Sequence, residues 1–202
     1  MAARNLTLQA AIDDLHRIAV VQGQATSTAR LDRLAKYCIE ELEKRGLPGA
    51  QPDRPIPGGG REKQWDVAWE YDGKYRLAIS LKSLLQNLAG TVPNRIDDLM
   101  GEVANAQLYS PELVIGYVMV FEVSKDVISK KHGLTWCDLL QDRLSRLSGR
   151  RSPAWTVGTI EAFVILRVDF SSGPKLLTNE TDVRIMFDEL VAQVRERNPG
   201  VQ

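Results

Sequence analysis

Cysteine is nearly absent: Cys38 and Cys137 are the only two in 202 residues, and they stand far apart. That spacing excludes a disulfide framework and a cysteine zinc site, and it predicts two small buried hydrophobes. Histidine is as scarce. His16 and His132 have no second ligand near them in sequence, so neither is expected to bind a metal or act as a general base. Long apolar runs are missing too. The longest, residues 113–121, is broken by Gly116, whereas a helix across a bilayer takes roughly 20 apolar residues. Residues 1–14 lack the apolar core of a signal peptide, which predicts a cytoplasmic protein with no membrane partner. There is no excess of either charge, with 26 basic and 26 acidic residues. A uniformly basic, phosphate-coating surface is therefore excluded.

What is present is an ordinary globular composition, 44% hydrophobic and 26% charged, in a chain long enough to bury its own core. The charge is unevenly spread. Between Ser124 and Arg151 seven cations (Lys125, Lys130, Lys131, Arg143, Arg146, Arg150, Arg151) face three anions, a local net of +4. These seven are candidates for contact with DNA phosphates or base edges. Trp65, Trp69 and Trp155 read as core or interface residues rather than stacking platforms.

Periodicity predicts a helix over residues 6–22 and a second over 26–45, with Leu31, Leu34, Ala35, Cys38 and Leu42 as its apolar stripe and Glu41 at the stripe's edge. Residues 47–60 are rich in Pro and Gly and read as a loop; no Gly-Lys-Ser/Thr follows, so they are not a phosphate-binding P-loop. Period-two alternation marks strands over 65–71 and 75–83, joined at Asp72-Gly73. A helix over 94–109, a doubly buried strand over 113–123, a helix over 135–147, a strand over 159–170 and a helix over 182–197 follow. The expected fold is α/β, a mixed sheet flanked by helices. It forms a single domain over 1–202, with a helical part to residue 46, a core at 60–125 and a helix–strand–helix remainder.

In the second hairpin strand Leu77, Ile79 and Leu81 share the core face, which turns Ser80 and Lys82 together the other way. A two-residue turn would set Asp66 opposite Ile79, on the wrong face. A three-residue loop of Tyr71, Asp72 and Gly73 would set it opposite Ala78, on the face of Ser80 and Lys82.

An Asp on one strand followed by a short acidic-x-Lys triplet on the next resembles the PD-(D/E)xK nucleases, a superfamily that includes many type II restriction endonucleases. The matching stretch is QWDVAWEYDGKYRLAISLKSLLQ, and NRIDDLMGEVANAQLYSPELVIGYVMVF is similar to the helix and strand that come next in restriction-endonuclease-like members. The resemblance covers about residues 60–125. It implies a cleft holding one or two Mg²⁺ ions, with Mn²⁺ able to substitute, in which Asp66 is the principal ligand, the carbonyl of Leu81 a second, and Lys82 orients water or stabilises charge on the phosphate. It implies an endonuclease acting on double-stranded DNA, of type II restriction character and working as a homodimer. The triplet departs from the pattern, since its acidic position is Ser80, and a hydroxyl replaces a carboxylate poorly at a hard cation. Some restriction enzymes with this departure draw the acid from the next helix. Glu102 is the first candidate, because Arg95, Asp98, Glu102 and Asn105 stack on one side of that helix; Asp98 is the second, and Glu41 a possible further ligand. The alternative is a nuclease-like module that binds nucleic acid or another partner without cutting.

Overall fold

A computed structural model describes residues 6–201; residues 1–5, the start of the stretch read for a signal peptide, and residue 202 lie outside them. The chain begins with α1 (Leu8–His16), capped where Thr7 Oγ1 accepts the Ala10 amide, and a π-helical turn over Arg17–Val21. A 3₁₀ turn over Thr28–Leu31 leads into α2 (Asp32–Glu43), so the second helix starts later than its Thr/Ser cluster predicts. Its expected stripe is buried throughout.

The strands are β1 (Gln51–Ile56), β2 (Lys63–Tyr71), β3 (Lys74–Leu84), β4 (Val114–Glu122), β5 (Ala162–Asp169) and β6 (Lys175–Leu176). Between them run α3 (Leu88–Tyr109) and α4 (Trp136–Leu147), and α5 (Glu180–Arg197) follows β6. The six strands lie in one sheet in chain order. β3, β4 and β5 are parallel, and β1, β2 and β6 join antiparallel to their neighbours. α1, α2 and α5 cover one face of the sheet and α3 and α4 the other, which gives two hydrophobic layers and a mixed sheet flanked by helices, as expected. β4 is buried along its whole length. Cys38 and Cys137 are free and buried. No described helix is long and apolar enough to cross a membrane.

Three expectations need correction. The Pro/Gly-rich loop holds an edge strand, β1, whose outer residues are exposed. Proline is tolerated there because an edge strand leaves one side of its backbone unpaired. α3 starts at Leu88 rather than residue 94 and runs through Pro93, because Leu88, Val92, Ile96, Leu99 and Val103 form one buried stripe. Burial of that stripe outweighs the hydrogen bond proline removes.

The third correction concerns the hairpin. Its turn has two residues, Asp72 and Gly73, both at positive φ as a type I′ turn requires. A bulge at Trp69/Glu70 then shifts the register: Glu70 pairs with Tyr75, but Trp69 pairs with Leu77 and Val67 with Ile79. Carried one residue further, that register would set Asp66 across from Ser80, on the side of Lys82. That face is not solvent but a second core, built by Ala78, Ile115, Tyr117 and Met119 beneath α3.

Candidate active site

β2 and β3 pair as far as Val67 and Ile79. Two residues beyond Ile79, the Leu81 amide donates to Asp66 Oδ2, at 2.7 Å. The strands separate there, and a side chain takes the place of the ladder. This fixes the Asp66 carboxylate at the mouth of the gap.

Lys82 emerges beside it. Its Nζ lies 3.9 Å from Asp66 Oδ2 and 3.9 Å from Glu102 Oε2. Both contacts are longer than a hydrogen bond, so charge alone places the ammonium between the two acids. Glu102 reaches the site from α3, where Lys63 of β2 pairs with its other oxygen. Two carboxylates and two ammonium groups thus alternate along a short chain. Burial pushes the Asp66 carboxyl above its usual range, with Glu102 and Asp53 adding to the rise; Lys82 and the Leu81 amide act in the opposite sense.

Ser80 sits between Ala78 and Lys82, opposite Tyr117 of β4, only 2% exposed, and its Oγ has no hydrogen-bond partner among the described residues. Burial raises the Tyr117 phenol well above its ordinary value.

Two cavities flank the acids. One, of about 220 Å³, is lined by Arg61, Lys63, Asp97, Asp98, Glu102 and Asn105. The other, of about 230 Å³, lies between α2 and β1 and is lined by Asp32, Lys36, Asp53 and Asp66. Among the described residues no three His, Cys, Asp or Glu side chains stand close enough together to hold a metal by themselves. The donor set nevertheless suits Mg²⁺, which binds through one or two carboxylates and completes its shell with water and substrate phosphate.

The remaining candidates divide. Asp98 lies one turn before Glu102 and pairs with Arg95. Glu41 is held by Lys44 and Arg45 on the opposite layer of the fold, and the acid of α2 that shares a cavity with Asp66 is Asp32. Lys130, Lys131 and Arg143 are exposed. Lys125 reaches the Leu85 carbonyl, while Arg146 and Arg151 pair with Asp142 and Glu189. Arg150 cannot contact DNA: it is 3% exposed, bound to Glu161 and to the carbonyls of Pro111 and Thr156.

Lys63, Asp53 and Tyr117 were not foreseen. Lys63 precedes the clear alternation of β2, Asp53 lies in the strand mistaken for a loop, and Tyr117 is concealed within an unbroken apolar run. The Gly-rich segment packs on α3. Asn105 accepts the Gly60 and Arg61 amides and donates to the Arg61 carbonyl, and a Cβ at Gly58 would collide with the Asn105 amide.

No family model matches the chain, and no curated protein matches it. Among solved structures it is similar to the small subunit of the heterodimeric restriction endonuclease R.BspD6I, at 8% identity and a TM-score of 0.36, over 96% of this chain and 100% of that one. A likeness that slight carries neither fold nor function.

Proposed function

We propose that the chain is a Mg²⁺-dependent DNA endonuclease that hydrolyses phosphodiester bonds, of restriction type, and acts as a homodimer on a short duplex sequence. One observation carries this reading: Asp66 and Glu102, from a strand and a facing helix, each lie 3.9 Å from the single ammonium of Lys82. Two acids from facing elements converge on Lys82 at separations too long for hydrogen bonds, at the point where two strands part, and such loosely held oxygens make a site that a cation can enter.

Asp66 and Glu102 would hold the metal, with the Leu81 carbonyl as a further oxygen. Bound there, Mg²⁺ supplies a lowered pKa for a water and charge stabilisation at the leaving oxygen. The other tasks fall to the chain itself. The Leu81 amide orients Asp66. With a metal on the acids, Lys82 would be free to turn its ammonium to the phosphate or the attacking water. Lys63 balances Glu102 when no cation is present. Exposed Lys130, Lys131 and Arg143 supply phosphate contacts on the duplex.

The test is incubation with plasmid DNA in Mg²⁺ and in EDTA. Discrete Mg²⁺-dependent fragments are expected from the natural chain, and none from Asp66→Ala, Lys82→Ala or Glu102→Gln. The second reading, a module that binds DNA without cutting it, is favoured by Ser80 at the acidic position of the triplet. Retarded but intact plasmid would establish that reading in place of the first.

A further inference from the structure

Beyond the C-terminal end of β3 lies a cavity of about 370 Å³ that the catalytic reading does not use. Its wall includes Arg30, Ser83, Asn87, Thr91 and Arg95. Arg30 comes from the turn before α2 and Arg95 from α3, so two guanidinium groups from opposite layers meet over the end of the sheet. Arg30 Nε donates to Ser83 Oγ at 3.0 Å. Arg95 donates to Asp98, but its Nε is buried with no partner among the described residues. Burial and the nearby charge of Arg95 hold the Arg30 guanidinium below its ordinary pKa. Both guanidinium groups line this one cavity, and an anion there would be attracted by both, in addition to the Asp98 carboxylate already at Arg95.

Three further features point to the same ligand. α3 begins at this cavity, with Asn87 in the left-handed conformation and making no side-chain cap, so the positive end of a long helix is open toward it. Lys125 stands at the rim, 3.3 Å from the carbonyl of Leu85, itself a wall residue. The wall continues directly from Lys82 through Ser83, Leu84 and Leu85. No aromatic side chain lines it, so it suits a phosphate group rather than a base.

We propose that this cavity is a phosphate-binding site, formed by Arg30 and Arg95, for a phosphate of a nucleic acid strand. That the phosphate belongs to DNA rests on the nuclease reading above; the anion site does not. Two sources share the chemistry, an internal phosphodiester next to the one cut and a terminal 5′-phosphate.

The experiment uses the full chain in EDTA, so cleavage does not enter. Inorganic phosphate is titrated at constant ionic strength while the melting temperature is followed. A saturating rise is expected in the natural chain and only the shallow, non-saturating salt response in Arg30→Gln and Arg95→Gln. Arg95→Gln gives up only a partly exposed pair with Asp98 and relieves the nearby charge of Arg30, so its own melting temperature should hardly change. If Arg30→Gln fails to fold, Arg95→Gln carries the test. Binding of labelled duplexes then separates the sources. If the ligand is terminal, removing the 5′-phosphate weakens the natural chain about tenfold and leaves the variants unchanged. If it is internal, 5′ status has no effect, while each variant binds about tenfold more weakly and loses about 0.9 from its salt slope. Identical phosphate responses in all three chains overturn the proposal, even if plasmid cleavage is demonstrated. Failure of cleavage alone leaves the phosphate response as the deciding result.

Discussion

Glu161→Gln should cost stability and leave DNA binding intact. Glu161 is wholly buried and binds three donors: Arg150 at 3.0 Å, Arg197 at 2.8 Å and the Ile115 amide at 2.6 Å. The Trp155 ring lies over both guanidinium groups, 5.8 and 5.0 Å from its centroid. One negative charge therefore holds two positive ones away from water. Glutamine keeps the shape and one acceptor, but its amide would point a donor at a donor and leave both cations unbalanced. Breaking a buried pair by removing one partner costs about 3–5 kcal/mol.

The loss should fall at the lower end of that range, because carbonyls also solvate the guanidiniums: Pro111 and Thr156 for Arg150, Glu112 and Leu113 for Arg197. About 3 kcal/mol is expected, or a fall of about 6–12 °C in melting temperature for a chain of this size. Circular dichroism melts and urea titration measure it. Fluorescence binding of a DNA duplex well below the melting range should match the natural chain, since Arg150 serves the fold. A loss under about 1 kcal/mol would refute the reasoning, because water or a shifted side chain would then be meeting the charge.

Asp66→Asn should lower cleavage by about 10³-fold, as loss of one charge-stabilising group does, without lowering the melting temperature. Burial raises the Asp66 carboxyl in the folded state, so its ionised form disfavours folding above that raised value. The variant's stability advantage should be full at neutral pH and vanish as pH falls through the folded value into the ordinary carboxylate range, as melts across pH would record. Lys63→Ala removes a cation that competes for Glu102, so half-maximal cleavage should need several-fold less Mg²⁺ in a plasmid titration. Asn105→Ala releases the loop at Gly60 and Arg61; it should cost about 1–2 kcal/mol in urea titration and expose the loop to limited proteolysis.

Legibility in the sequence followed the source of each element's stability. β4, α4 and α5 are held by apolar side chains, and the apolar pattern announces them. β1 is held by its backbone ladder to β2 and exposes most of its side chains, so its residues carry no alternation to read. Asp66 and Lys82 do come together, but by another route. A two-residue turn and a bulge together give the parity that a longer turn would also give, and spacing alone does not distinguish them. Arg150 shows the opposite failing. A charge in a basic stretch reads as surface, and only its partner Glu161, in a different element, reveals that it is buried.

If Asp66 and Glu102 hold the cation as proposed, the position of Ser80 explains why the second acid would come from a helix. On β3 it is flanked by Tyr117 of the neighbouring strand, lies one residue before the Leu81 amide that binds Asp66, and is buried. A carboxylate there would be buried against another carboxylate whose own ionisation burial already resists. Lys82 would then answer two adjacent acids at once. Glu102 offers the same oxygens from across the gap, at the rim of a cavity and with Lys63 as its own counter-ion. The charge is thus divided between two layers of the fold, each acid with a cation it can release. A site arranged in this way rests near neutrality when empty and gains two hard oxygens when both ammoniums turn aside, a balance that an aspartate at position 80 would upset.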